Sequence, residues 1–84
     1  MNLNQVTDGV IEVIAMNSRF TKDEIEQNKP LDKYISSDMK ARLAREVKGK
    51  FQKVKTIKLT NELFVTIKKV KDLIQHVYQV YNEV

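Results

Sequence analysis

Cysteine is absent from this chain of 84 residues, which also has only two glycines and one proline. Without a thiol, the chain has no means of forming a disulfide, a thiolate metal site or a cysteine nucleophile. No apolar run is long enough for a membrane span or for the apolar core of a signal peptide, so we expect a cytoplasmic protein that makes no membrane contact. The scarcity of glycine and proline, beside many Lys, Glu, Val and Ile residues, predicts a mostly helical chain.

Motifs for catalysis are also lacking. The sequence contains no glycine-rich phosphate loop and no cluster of residues with the spacing of metal ligands. His76 is the single histidine, and it falls between the core positions of the last predicted helix, where we expect a surface or boundary residue. We therefore predict neither catalytic residues nor a metal site, and we expect the chain not to be an enzyme.

The charge of the chain is positive and unevenly distributed. Fifteen basic and eleven acidic residues give a net charge of +4, and the excess of basic residues lies from Lys40 onward. Such an excess suits an anionic partner, which includes nucleic acid, an acidic protein or a phosphate-bearing group. A solvated basic face is the favoured interpretation over nucleic-acid binding, because no aromatic residues are interleaved with the basic ones.

The length of the chain fits one domain over residues 1–84 with a small core. Apolar residues at spacings of three and four predict a first helix over residues 3–16. Asn2 or Asn4 is its expected N-cap. Gly9 has two interpretations, of which a tolerated surface glycine is preferred to a site of close helix approach.

A long loop is predicted over residues 18–36. It contains one short helical turn, in which Thr21 and Glu24 have the spacing of a capping box and Phe20 and Ile25 that of a hydrophobic staple. A loop of this length in so small a domain is unusual and often functional.

Three residues that favour helix N-termini, Ser36, Ser37 and Asp38, come at the end of this loop. The second helix that follows has apolar residues at strict i, i+4 spacing, which predicts a buried stripe. The stripe consists of Met39, Leu43, Val47 and Phe51. The outer face has five cations and two carboxylates, for a charge of +3, and the cations are Lys40, Arg42, Arg45, Lys48 and Lys50.

The last third of the chain predicts an extended connector over residues 53–58 and a short helix over residues 61–65. Thr66 is the expected N-cap of a final helix of about five turns. The buried stripe of that helix, which Leu73 and Val80 widen, is expected to contain Ile67, Val70, Ile74, Val77, Tyr81 and Val84. The predicted fold class is therefore all-α, with three main helices, one short helix and a long loop between the first and second helices.

In its full length this pattern resembles an acyl carrier protein of the polyketide or fatty-acid type. Residues 21–25 look like the family's short turn, Pro30-Leu31 and Tyr34 look like the stretch before the attachment site, and Thr66-Ile67 looks like the start of the last helix. With Ser37 at the family's attachment serine, the apolar residues at offsets of six, ten and fourteen also match. The resemblance implies an acyl-carrier-like four-helix bundle.

The function that this resemblance implies is that of a carrier and not of an enzyme. A phosphopantetheinyl transferase would attach 4'-phosphopantetheine covalently to Ser37, with Ser36 as the alternative, making the chain a phosphoprotein. The thiol of the arm would carry acyl intermediates as thioesters between acyl-transferring and condensing synthase enzymes. The resemblance implies a specialised pathway of polyketide, fatty-acid or peptide biosynthesis and a monomeric carrier.

The chain departs from the family at the attachment site, where Ser36-Ser37-Asp38 stands in place of Asp-Ser-Leu. Counted from Tyr34 without a gap, Asp38 instead of Ser37 would occupy the attachment position. The second helix is basic where family members tend to be acidic, which implies partner enzymes with acidic docking faces that contact Lys40, Arg42, Arg45 and Lys48.

Two other functions stay open from the sequence. A chain with the carrier fold that is never modified could act as an interaction module, which the loss of Asp-Ser-Leu supports. A small basic helical domain that binds nucleic acid is the least favoured function, because only the charge supports it.

Overall fold

The computed structural model describes residues 2–51 and 67–82, and helices dominate this part of the chain. The helices are α1 (Leu3–Met16), α2 (Lys40–Lys50) and α3 (Val70–Asn82). Three single 3₁₀ turns connect α1 to α2, namely Lys22–Glu24, Leu31–Lys33 and Ser37–Met39. The described residues form no β-strand and only one isolated antiparallel bridge, between Pro30 and Lys69. The predicted all-α class is confirmed for these residues.

Helix α1 begins at a reciprocal capping box. The backbone N–H of Gln5 donates to Asn2 Oδ1 at 2.9 Å, and the backbone N–H of Asn2 donates to Gln5 Oε1 at 3.0 Å. Each side chain thus satisfies an amide that the first turn of a helix leaves without a partner. Asn2 was one of the two predicted N-caps, and the structure confirms it.

Helices α1 and α2 pack antiparallel. Near the end of α2, Phe51 lies against Gly9, and Lys50 pairs with Glu12 at 3.2 Å. One turn earlier in α2, Glu46 accepts a hydrogen bond from the side chain of Asn17, which follows the last turn of α1. Residue numbers therefore rise along α1 as they fall along α2.

Helix α3 runs in the direction of α2. Both N-termini lie beside the 3₁₀ turn Leu31–Lys33, since Lys40 pairs with Asp32 and Leu31 N–H donates to Lys68 O at 2.8 Å. At the far end, the rings of Phe51 and Tyr81 meet edge to face with centroids 6.3 Å apart. Helix α1 is thus antiparallel to both of the other helices.

The apolar side chains that the sequence predicted to form the buried stripe of α2 lie in the core between the helices. Leu43, Val47 and Phe51 have at most 1% of their surface exposed, and Met39 is partly buried against them. No polar or charged residue of the described chain is buried. The hydrophobic effect is thus the main stabilising interaction in this part of the core.

The interpretation of Gly9 as a tolerated surface glycine is wrong. Gly9 is buried, and a Cβ at this position would lie 2.5 Å from Cζ of Phe51 and 3.1 Å from Cε of Lys50. The missing side chain therefore lets the Phe51 ring rest directly on the backbone of α1. Gly49, in contrast, is exposed and has nothing within 4 Å of its Cβ position.

The predicted start of the last helix is also wrong, because α3 begins at Val70 and residues 67–69 are not helical. The N–H groups of Val70 and Lys71 donate to loop carbonyls, to Lys29 O at 3.1 Å and Gln27 O at 2.8 Å. Asp72 accepts from the N–H of Lys69 at 3.1 Å. Capping by the loop and by Asp72 replaces the expected cap at Thr66, which lies outside the described residues.

The predicted connector over residues 53–58 and the predicted short helix over residues 61–65 also lie outside the described residues. They stay predictions. Among the helices that are described, none combines the length and the apolar character that crossing a membrane requires.

Candidate functional site at the serine junction

The loop before α2 is held by the short turn that the sequence predicted. The capping box at Thr21 and Glu24 is confirmed. The Glu24 carboxylate accepts from the backbone N–H of Thr21 at 2.9 Å and from its hydroxyl at 3.0 Å. These bonds, of which the backbone bond has the larger effect, lower the pKa of Glu24. The carboxylate is thus held ionised at the beginning of the turn, where the helix dipole also favours it.

Tyr34 connects this turn to the residues before the junction. Its hydroxyl accepts from the N–H of Glu26 at 2.9 Å and donates to the carbonyl of Glu24 at 3.3 Å. Its ring is buried and meets the ring of Phe20 edge to face, with centroids 4.9 Å apart. Tyr34 therefore fixes the path of the loop through both its apolar ring and its polar end.

The backbone between Leu31 and Met39 directs the two serines outward. Leu31, Tyr34 and Ile35 are buried, and Ile35, with no exposed surface, directly precedes Ser36. The sequence interpretation missed Ile35. Its spacing of four from Leu31 and one from Tyr34 was the available signal, because these three residues share one face of a helical turn.

Ser36 and Ser37 are both exposed, and neither hydroxyl has a hydrogen-bond partner among the described residues. Ser36 has extended backbone angles, and its carbonyl accepts from the N–H of Met39 at 3.0 Å, which closes the 3₁₀ turn. Ser37 is the first residue of that turn, three residues before α2 begins at Lys40. Ser36 occupies the N-cap position of the 3₁₀ turn without a side-chain cap hydrogen bond, and Met39 occupies that position for α2. The predicted capping by the side chains of Ser36, Ser37 and Asp38 is therefore not found among the described residues.

The hydroxyl of Ser37 thus has the properties of an acceptor for a covalent group. It is exposed, it stands at the N-terminal end of a helical segment, and its bonding capacity is not consumed by the fold. Asp38 is also exposed, so exposure alone does not decide whether Ser37 or Asp38 occupies the attachment position. A carboxylate, however, lacks the hydroxyl that a phosphoester requires. An attached phosphate would lie at the positive end of the α2 dipole.

The four cations predicted to bind partners are not equivalent. Lys40 forms an ion pair with Asp32, and Arg42 pairs with Glu46 at 3.3 Å. Arg45 is exposed and Lys48 half-buried, and neither forms an ion pair with a described residue. Arg42, Arg45 and Lys48 follow one another at three-residue spacing on α2, so they are neighbours on its surface. Lys40 is directed toward the loop and supports the junction itself.

Glu46 connects these cations to α1. The hydrogen bond from Asn17 is the largest cause that lowers the pKa of Glu46. The hydrogen bond and charge of Arg42 also lower this pKa, whereas partial burial of the carboxylate raises it. The amide of Asn17 also donates to Val13 O at 2.9 Å. Asn17, the residue after the last turn of α1, therefore joins α1 to α2.

An open groove of about 580 Å³ lies between the C-terminal halves of α1 and α2. Its lining residues are Glu12, Val13, Met16, Arg45, Glu46, Gly49 and Lys50. At a rise of about 1.5 Å per residue, Gly49 lies roughly 18 Å along the helix from Ser37. The groove and the serine junction are therefore separate features.

His76 is half-buried on α3, which confirms the expected boundary position. Its Nε2 has no hydrogen-bond partner within the described residues. Over the same residues, no group of three or more His, Asp or Glu side chains has the arrangement of a metal site.

Comparisons of the chain with protein-family models, with curated proteins and with solved structures find no match. The resemblance to acyl carrier proteins therefore depends on the sequence pattern.

Proposed function

We propose that this chain is an acyl carrier that holds acyl groups as thioesters on a 4'-phosphopantetheine arm attached to Ser37. The observation that carries the proposal is the exposed Ser37 hydroxyl, which has no hydrogen-bond partner among the described residues. When bound, the arm supplies a thiol that this cysteine-free chain lacks. The protein contributes the attachment oxygen and a rigid support around it.

The support around Ser37 favours a defined position for such an arm. Ile35 is fully buried before the junction, and Lys40 is paired with Asp32 after it. A transferase or synthase that acts on the arm needs a fixed origin, because positioning of reacting groups contributes strongly to rate. The arrangement of α1 antiparallel to α2 and α3 is compatible with an acyl-carrier-like bundle, which we include in the proposal.

The partners of this carrier are proposed to be a phosphopantetheinyl transferase and acyl-transferring or condensing enzymes with acidic docking faces. Arg45 and Lys48 are the predicted cations of α2 that form no ion pair with described residues. A basic docking face would meet like charge there, which slows association.

An unmodified interaction module is the second candidate function. The observation that favours it is Ser36 at the position where the family has aspartate, beside Asp38 where the family has an apolar residue. A transferase that reads those two positions would not accept this chain. The same experiment distinguishes the two functions.

The test is incubation of the chain with coenzyme A and a phosphopantetheinyl transferase of broad specificity, followed by intact mass measurement. We expect the mass to increase by one phosphopantetheine. The increase should persist in Ser36→Ala and vanish in Ser37→Ala, which makes Ser36→Ala the matched control. Peptide mapping of the product then identifies the modified residue directly.

Failure of several transferases to modify a folded chain would reject the carrier proposal in favour of the interaction module. Modification that vanishes only in Ser36→Ala would move the attachment site by one residue. Neither serine hydroxyl bonds to a described residue, so both variants are expected to fold, and circular dichroism checks this.

A further inference from the structure

We propose that the exposed lysines around the start of α3 form a docking surface for an acidic patch on a partner protein. The lysine surface consists of Lys29, Lys68, Lys69 and Lys71, all of which are exposed. None of these lysines belongs to the cations of α2 that the sequence indicated as the partner surface, although Lys40 of that set lies beside the same turn, Leu31–Lys33. The inference does not require Ser37 to be modified.

Backbone hydrogen bonds hold the lysine surface together. Pro30 and Lys69 form an antiparallel bridge, Leu31 N–H donates to Lys68 O at 2.8 Å, and Val70 N–H donates to Lys29 O at 3.1 Å. Paired extended segments lie about 5 Å apart. Lys29, distant in sequence, is thereby brought beside the three lysines of residues 68–71.

The lysines of this surface form no ion pairs within the described part of the chain. None of its four lysines forms an ion pair with a described residue, whereas Lys40, Arg42 and Lys50 each do. The adjacent carboxylate, Asp72, accepts instead from the backbone N–H of Lys69. Like charges held together repel one another, and an external anion would relieve that repulsion.

The neighbouring residues favour a folded acidic protein over nucleic acid. Asp23, Glu24 and Glu26 are exposed in the same loop, three to six residues before Lys29. A long polyanion that crossed the lysine surface would extend toward these carboxylates and be repelled. A protein can instead present a short acidic patch bordered by residues of the other charge.

The same surface does not favour a lipid membrane. The exposed large apolar residues of the described chain are Leu3 and Met16, both on α1 and neither part of the lysine surface. Stable binding of a peripheral protein to a bilayer requires buried apolar area in addition to charge. The lysine surface offers charge alone.

The experiment uses a helical peptide whose glutamates recur every four residues, added to the isotopically labelled full chain and followed by amide NMR. We expect shift changes centred on residues 29 and 68–71, no changes with the corresponding glutamine peptide, and weaker binding as salt rises. The double variant Lys69→Glu, Lys71→Glu should bind about tenfold more weakly, because each exposed ion pair contributes modestly.

The matched control is Arg19→Glu, Lys22→Glu, which changes the net charge by the same amount at two exposed cations in the loop. We expect its affinity to change less than about twofold. Equal weakening in both variants, or shift changes centred on Arg45 and Lys48, would overturn the proposal. Tighter binding to a short DNA duplex, or to phosphatidylserine vesicles, than to the glutamate peptide would also overturn it. Lys69→Gln, Lys71→Gln gives a second readout if the reversed charges disturb folding.

Discussion

The ring of Phe51 rests on Gly9, where a Cβ would lie 2.5 Å from the ring's Cζ. Phe51 is 1% exposed and closes the C-terminal end of α2. On its other side the ring meets Tyr81 at a centroid distance of 6.3 Å. The contact between a glycine of α1 and an aromatic residue of α2 thus brings all three helices together.

Gly9→Ala should therefore destabilise the protein relative to Gly49→Ala. Both changes gain about 1 kcal/mol of helix propensity, but only the first forces a buried ring to move, which costs about 1–3 kcal/mol. Chemical denaturation measures the free energy of unfolding of each variant. We expect Gly49→Ala to be more stable than the parent, and Gly9→Ala to be about 1–3 kcal/mol less stable than Gly49→Ala. Equal stability of the two variants would contradict the close contact.

Ser36→Ala and Ser37→Ala should change the free energy of unfolding by less than about 0.5 kcal/mol each. A serine whose hydroxyl caps a helix typically contributes about 0.5–2 kcal/mol, but neither hydroxyl has a described partner. Thermal unfolding of the two variants measures this. A loss of about 1 kcal/mol or more in either would show that the hydroxyl caps the turn.

Tyr34→Phe should destabilise the loop before the serine junction. The change keeps the ring that meets Phe20 and removes the hydroxyl that bonds Glu26 N–H and Glu24 O. Loss of a partner for a partly buried amide costs about 1–3 kcal/mol. Hydrogen exchange should accelerate at the amide of Glu26 more than at those of α1. Unchanged exchange at Glu26 would contradict the bond.

Asn17→Ala should raise the pKa of Glu46, because the hydrogen bond from Asn17 is the largest cause that lowers it. A carboxyl group with a lowered folded-state pKa stabilises the fold above its unfolded pKa, and this contribution is lost as pH falls through the folded value. Acid unfolding of Asn17→Ala should therefore depend less on Glu46, although the hydrogen bond and charge of Arg42 still lower the pKa of its carboxyl. Titration of the Glu46 side-chain carbon by NMR measures the change.

Thr21→Ala is the contrasting variant for Glu24. The backbone N–H of Thr21 is the largest cause that lowers the pKa of Glu24, and the hydroxyl is the second. The substitution removes only the hydroxyl, so the pKa of Glu24 should stay below the ordinary value of a glutamate carboxyl. Full return of the pKa to that ordinary value would show that the hydroxyl, and not the backbone, lowers it.

The candidate site was found in part from local sequence. The two serines at the start of α2 and the turn at Thr21 and Glu24 follow from short-range preferences that a sequence displays directly. Whether the serine hydroxyls cap the turn or stay free could not be read from sequence, because both uses suit the same residue. The ion pair of Lys40 with Asp32 also required the folded chain, because Asp32 lies in the loop before α2, whereas Arg42 and Glu46 have the i, i+4 spacing that a sequence displays.

The sequence by itself determined the buried stripes of the described helices, because apolar residues that recur at three and four must share one helix face. Met39, Leu43, Val47 and Phe51 were identified in this way and are buried or partly buried. The tertiary structure decided the role of Gly9, because a side chain at this position is excluded only when Phe51 packs against it. It also decided that α3 begins at Val70, since the carbonyls of Gln27 and Lys29 satisfy its first amides from a loop about forty residues earlier in the chain.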